Sequence, residues 1–131
     1  MMIEFHVEAR SGVPTYLQLV QQVRHAVRLG VLRPGDRLPT VKEVVGSLAI
    51  NPNTVLRAYR ELELEGLTEG RRGVGTFVAE GVPALAADDV KELRSSLQRW
   101  IARARGAGLD DDDIGALFWA TLRPAAVVRV A

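Results

Sequence analysis

The chain has no cysteine among its 131 residues, which excludes disulfides and thiolate metal sites. It has no apolar run long enough to span a bilayer and no charged-then-apolar leader, so a cytoplasmic protein without a membrane partner is expected. It has no charge excess either. Lys and Arg number 17 against 16 Asp and Glu; residues 1–80 carry ten against nine, and residues 81–131 seven against seven. A nucleic-acid reading must therefore rest on where charges fall, not on their sum. Metal and catalytic constellations are missing as well. Asp110–Asp113 lacks the spaced oxygen ligands and glycine of an EF-hand loop and suits a helix start, while His6 and His25 stand isolated. The stretch GRRGVG opens no helix and lacks the Lys-Ser/Thr ending of a phosphate loop. No cofactor, no metal and no enzyme activity are expected.

What is present is a foldable mixture, 47% apolar and 25% charged. Ile3–Ala9 alternates apolar and polar residues, as a short strand or an extended arm would. Pro14 suits the first turn of a helix, along which Tyr16, Val20, Val23 and Val27 recur at helical spacing until Gly30. LRPGDRLP (Leu32–Pro39) is a turn-rich connector. Thr40 to Glu43 reads as a capping box ahead of a short helix with Val44, Val45 and Leu48 inward. Ala49-Ile50 turns the chain into a third helix, ended by Gly66. Leu67–Glu80 reads as a hairpin about a Gly-rich turn, and EGVP (Glu80–Pro83) as a linker. Domains are expected at 1–80 and 81–131.

Helix, helix, tight turn, helix and hairpin, in that order, make a winged helix-turn-helix. The overall class is mostly α with a small β-hairpin. Asn51 is a good N-cap for the third helix, and Pro52 falls at the first helical position, where a missing N–H is harmless. Val55, Ala58, Tyr59 and Leu62 share one face and should pack inward; Asn53 and Arg57 point away, with Thr54 and Arg60 on the flanks. Short polar side chains and unpaired amides at such a helix start suit the major groove. There Asn can pair with adenine, Arg with guanine, and amides with phosphate. Lys42 and the tip pair Arg71-Arg72 would supply phosphate or minor-groove contacts. The plainer reading is a cap, a solvated face beside Glu61, Glu63 and Glu65, and an ordinary hairpin tip. It leads to a winged-helix protein-interaction module without DNA binding.

The stretches PTYLQLVQQVRHAV, LRPGDRLPTVKEV, NPNTVLRAYRELELEGL and RRGVGTFV, within residues 13–79, resemble the GntR-type winged helix-turn-helix repressors, and most of all their YtrA subfamily. The resemblance implies a transcription regulator, a homodimer on a palindromic operator in double-stranded DNA. It places the basic contact of the second helix on Lys42, where Arg is more usual. It places recognition-helix contacts on Asn51, Pro52, Asn53, Thr54 and Leu56, and wing contacts on Arg72 and Gly73. Pro52 and Leu56 stand where many members carry Arg, so those arginine contacts are lost. Leu56 is left either to touch a thymine methyl or to be partly buried. Ala49 stands where Gly is common, which argues against a left-handed turn.

Beyond residue 83, Val90, Leu93, Leu97, Trp100 and Ala104 are spaced 3, 4, 3, 4, with Ile101 beside them. Asp110 caps a last helix carrying Ile114, Leu117, Phe118 and Leu122, which Pro124 stops; Ala125–Ala131 is either a docked or a disordered tail. Two helices are too few for an independent core, so a dimerisation segment through Val90–Ala104 and Ile114–Phe118 is expected. Leu64, on the polar side of the third helix, is a candidate contact with this tail or simply exposed. The tail is too short to enclose a metabolite. A small-molecule effector would lie at the dimer seam or between tail and winged domain, lined by Trp100 and Trp119.

Overall fold

The computed structural model describes residues 3–124; the expectation for the tail Ala125–Ala131 lies outside the described residues. The elements run α1 (Thr15–Arg28), α2 (Val41–Leu48), α3 (Pro52–Leu64), β1 (Thr68–Arg71), β2 (Gly75–Val78), α4 (Ala87–Gly106) and α5 (Asp111–Leu122). This is the mostly α architecture with one hairpin that the pattern predicts. The chain divides into two compact units, Met1–Val90 and Lys91–Ala131.

The core of the first unit forms where helical stripes meet. Leu19, Val20, Val23 and Val27 of α1 pack with Val44 of α2 and with Val55, Ala58 and Leu62 of α3. The turn-rich connector contributes more than its composition suggests, because Leu32 and Leu38 are fully buried in the same cluster. Each such leucine is worth about 1.5–3 kcal/mol of burial. The connector also completes the wing. The Leu38 amide donates to the Thr76 carbonyl at 2.8 Å, the Val78 amide to Asp36 at 2.8 Å, and Arg37 bridges Phe77. β1 and β2 pair antiparallel, Thr68 opposite Val78 and Arg71 opposite Gly75.

The residues before α1 form an extended arm, not a strand, and two glutamines of α1 hold it. The Gln22 side chain accepts from the His6 amide at 3.1 Å and donates to the His6 carbonyl at 2.7 Å. Gln18, buried, does the same for Glu8 at 2.8 and 3.0 Å, and also donates to Ser11 and the Val13 carbonyl. Each carboxamide thus imitates a neighbouring strand. Ile3, Phe5 and Val7 then pack against the core.

The helix ends follow local chemistry, with two departures from expectation. Pro14 is the N-cap of α1, one position before its first turn. At α2 only half of the capping box forms: the Thr40 hydroxyl accepts from the Glu43 amide at 3.1 Å, without the reciprocal bond from the Thr40 amide. α3 closes in a Schellman turn, with Gly66 at φ +78 donating to the Glu63 carbonyl and Leu67 to Leu62. After the hairpin, Val82 packs on the core and the Leu85 amide donates to the Arg28 carbonyl at 3.0 Å. That docking carries the first unit past the linker.

In the second unit, α4 ends at Gly106; Gly108 follows with φ +99, and the Leu109 amide donates back to the Ala104 carbonyl at 3.1 Å. α5 starts in a full capping box: the Asp110 carboxylate accepts from the Asp113 amide, and the Asp113 carboxylate from the Asp110 amide. The acidic run is thus a helix start, and no group of metal-ligating side chains occurs among the described residues. α5 is apolar on nearly every face, yet none of its residues is buried within the chain.

Candidate nucleic-acid interface

The turn between α2 and α3 sets the start of the third helix. Ala49 adopts the left-handed conformation (φ 52, ψ 42) despite its Cβ, which corrects the expectation drawn from the missing glycine. Its amide donates to the Val45 carbonyl at 2.9 Å, closing α2. Asn51 then caps α3, its side-chain oxygen accepting from the Asn53 amide at 2.8 Å, with Pro52 in the first position. The inner face is as expected: Val55, Ala58, Tyr59 and Leu62 are buried.

Tyr59 locks α3 to the start of α2, its hydroxyl donating to the buried Pro39 carbonyl. Burial, and then the nearby Glu43 charge, push its phenol far above the usual range, so it stays a neutral donor.

The outer face carries Asn51, Pro52, Asn53, Leu56, Arg57 and Arg60 exposed, with Thr54 half-buried. Leu56 is 44% exposed, which favours the open reading over burial. The amides differ from expectation. Pro52 has no N–H, the Asn53 amide is engaged by the cap, and the Thr54 amide donates to the Asn51 carbonyl at 3.0 Å. The first turn of this helix therefore presents side chains rather than free backbone donors. The Asn51 oxygen is engaged in the cap, so its amide nitrogen is the end left to contact a ligand.

The basic residues divide into two groups. Arg71 is not at the tip: it lies in β1, over the Phe77 ring at 4.4 Å and paired with Glu69 at 3.0 Å. Arg72 stands in the turn itself, exposed, beside Gly73 at φ +76. Lys42 is exposed on the first turn of α2. Arg57 lies with its guanidinium 3.8 Å from the centre of the Tyr16 ring on α1.

Arg37 has no role in the sequence reading, yet it borders the wing: a Cβ on Gly75 would come within 3.1 Å of its Nε. Two acids at the C-terminal end of α3 face the rest of the fold. Glu65 pairs with Arg24 at 2.6 Å, and the Glu63 carboxylate covers Gly70. Neither the Arg24–Glu65 pair nor the glutamine clamps could be read from local spacing, since their partners lie far along the chain. The one usable signal was Gln18, a polar residue on the buried stripe of α1.

The tail residues divide too. Val90 and Ala104 are buried within the chain, and Trp100, Ile101 and Ile114 are half-buried. Leu93 and Leu97 of α4, with Leu117, Phe118, Trp119 and Leu122 of α5, are exposed. Trp119 meets Phe118 edge-on at 5.6 Å and carries Arg123 above its ring. Leu64 is exposed as well.

Comparison with known proteins places this arrangement. The profile described as "Bacterial regulatory proteins, gntR family" matches residues 15–78. The HTH-type transcriptional repressor YtrA of Bacillus subtilis is 37% identical over 79% of this chain and 81% of its own length. The chain belongs to the GntR family. A second relative, the HTH-type transcriptional regulator Rv1152 of Mycobacterium tuberculosis, is 40% identical over 82% of this chain and 84% of its own. Among solved structures, YtrA from Sulfolobus acidocaldarius, described as a GntR-family transcription factor, superposes with a TM-score of 0.55 at 29% identity. That match covers 74% of this chain and 96% of the other. The N-terminal domain of AraR, solved in complex with mutant ORR3, superposes with a TM-score of 0.50 at 27% identity, over 53% of this chain and 100% of that one. The winged helix-turn-helix of this GntR protein is therefore a DNA-binding domain of a transcription regulator, and its relatives are named as regulators rather than as enzymes. No helix among the described residues is long and apolar enough to cross a membrane.

Proposed function

We propose that this GntR protein is a homodimeric repressor that binds an inverted-repeat operator in the cytoplasm. The observation that carries the reading is α3. It buries Val55, Ala58, Tyr59 and Leu62 while presenting Asn53, Leu56 and Arg57 outward behind a capped, proline-started first turn. Asn53, Thr54 and Arg57 read bases, and Leu56 touches a thymine methyl. Lys42 and Arg72 hold phosphates, with Asn51, Pro52 and Gly73 at the DNA surface and Arg71 bracing the wing from β1. The repressor reading is supported by the name of one relative, the transcriptional repressor YtrA of Bacillus subtilis, and the DNA reading by the AraR N-terminal domain solved in complex with mutant ORR3.

The functional boundary lies at residues 80–81, with the helical tail serving dimerisation. Leu93, Leu97, Leu117 and Phe118 are exposed large apolar side chains, and Trp100, Ile101 and Ile114 border them half-buried. Monomeric proteins rarely leave such a surface open. A second copy would bury it and set two α3 helices about one DNA turn, or a multiple of it, apart. Val90 and Ala104, already buried, contribute to the seam through the helix they brace. An effector, where one exists, would sit at this seam beside Trp100 and Trp119.

Selection of bound sequences from random duplexes tests the reading. A palindromic motif is expected, and a dimer by sedimentation. No enrichment at low salt, with a protein partner recovered instead, would favour the interaction module.

A further inference from the structure

We propose that Tyr16 is a positioning residue for DNA recognition, holding the Arg57 guanidinium in one orientation before DNA arrives. The inference rests on the reading above, in which Arg57 contacts a base. The two side chains come from different helices, Tyr16 from the first turn of α1 and Arg57 from the second turn of α3, and the guanidinium lies 3.8 Å from the ring centre.

Three observations point the same way. Arg57 makes no hydrogen bond or ion pair among the described residues, so the ring is its sole fixed partner. Arg24, Arg71 and Arg105, by contrast, each meet a carboxylate, which neutralises them and occupies their donors. A guanidinium stacked on a ring uses its π face; its five N–H donors lie in the plane and stay available for a fork on guanine or on phosphate. Tyr16 itself is only half-buried, although it sits on the stripe that fills the core from Leu19 to Val27. Its ring is therefore placed as a platform at the edge of the core. A long flexible side chain held this way loses less freedom on binding than a free one, which favours one bound geometry.

The test is a double-mutant cycle on the full chain, read as Kd and as base preference across the selected operator. Tyr16→Leu removes the ring but keeps apolar packing, and should weaken binding about 2- to 5-fold and relax preference at the base pair that Arg57→Ala relaxes. Tyr16→Phe keeps the stack and should match the wild type. In an Arg57→Ala background, Tyr16→Leu should have no further effect. Should Tyr16→Leu unfold, Tyr16→Met serves in its place, and the upfield ring-current shift of the Arg57 side-chain protons, lost in that variant, reports the stack in the free protein. An effect of Tyr16→Leu that persists without Arg57, or no effect while Arg57→Ala weakens binding, overturns the positioning role alone. A neutral Arg57→Ala overturns both it and the base-reading assignment.

Discussion

Replacing Ala49 by glycine should stabilise the DNA-binding unit. Ala49 is the single described residue other than glycine with positive φ, at 52°, and it is exposed, so no packing is lost with its methyl group. The left-handed conformation costs an L-residue about 1–2 kcal/mol through the clash of Cβ with the following carbonyl. Glycine removes that cost but gives the unfolded chain about 0.4–1 kcal/mol of extra conformational entropy. The net gain is about 0.5–1 kcal/mol, which in a domain of this size raises Tm by roughly 2–8 °C. Thermal unfolding followed by circular dichroism measures it. Operator affinity should change less than about 2-fold, because the turn already has the geometry that glycine prefers. Ala49→Val, with a β-branched side chain in the same region, should shift Tm the other way. A lower Tm for Ala49→Gly would refute the reasoning, since it would mean that the turn is not left-handed in solution.

Three further substitutions probe the supports of the site. Tyr59→Phe strands the buried Pro39 carbonyl and should cost about 1–3 kcal/mol in denaturant unfolding. Because burial raises the Tyr59 phenol above its ordinary value of about 10, folding stability should be full below that pH and fall as pH rises further; Tyr59→Phe should flatten that fall. Gln18→Leu deprives the Glu8 backbone of both partners and should lower stability by about 1–3 kcal/mol, with faster amide exchange in residues 5–8. Thr68→Val should be neutral or stabilising by up to about 1 kcal/mol, since the buried Thr68 hydroxyl has no partner among the described residues; a clear loss in denaturant unfolding would refute this.

The order of elements was legible because each boundary is written locally. Thr40, Asn51, Gly66 and Asp110 act on residues within four positions, and a single sequence contains that information. The burial stripe of α3 follows from its spacing alone. What could not be read were pairings between distant residues. Nothing near Arg57 announces Tyr16, forty-one positions earlier, and nothing near Gln22 announces His6. The connector shows the same limit: its Gly and Pro mark the turn, but nothing in its pattern announces that Leu32 and Leu38 are fully buried. Ala49 shows the opposite case, in which a local rule, glycine for positive φ, is overridden by the packing of α2 and α3 on either side of the turn. The free amides expected at α3 were lost to an arithmetic of donors that the cap and Pro52 together settle.

Near-neutral charge left the DNA reading to rest on where the charges fall, and the fold sorts them. Glu65 is turned to Arg24 on α1, Glu69 to Arg71 within the hairpin, and Glu63 lies over Gly70. Glu65 and Glu69 are thus each paired with an arginine of the fold. Lys42, Arg57, Arg60 and Arg72 have no carboxylate partner among the described residues. Screening confines the influence of an exposed charge to about 8–10 Å at physiological salt, so a phosphate responds to the cations it meets rather than to the total. A protein can therefore be balanced overall and still offer DNA a basic surface, provided its acids are engaged elsewhere. In this GntR protein Glu65 and Glu69 meet arginines of the fold while Arg57 and Arg60 of α3 meet no carboxylate among the described residues, so pairing rather than composition sorts the charges.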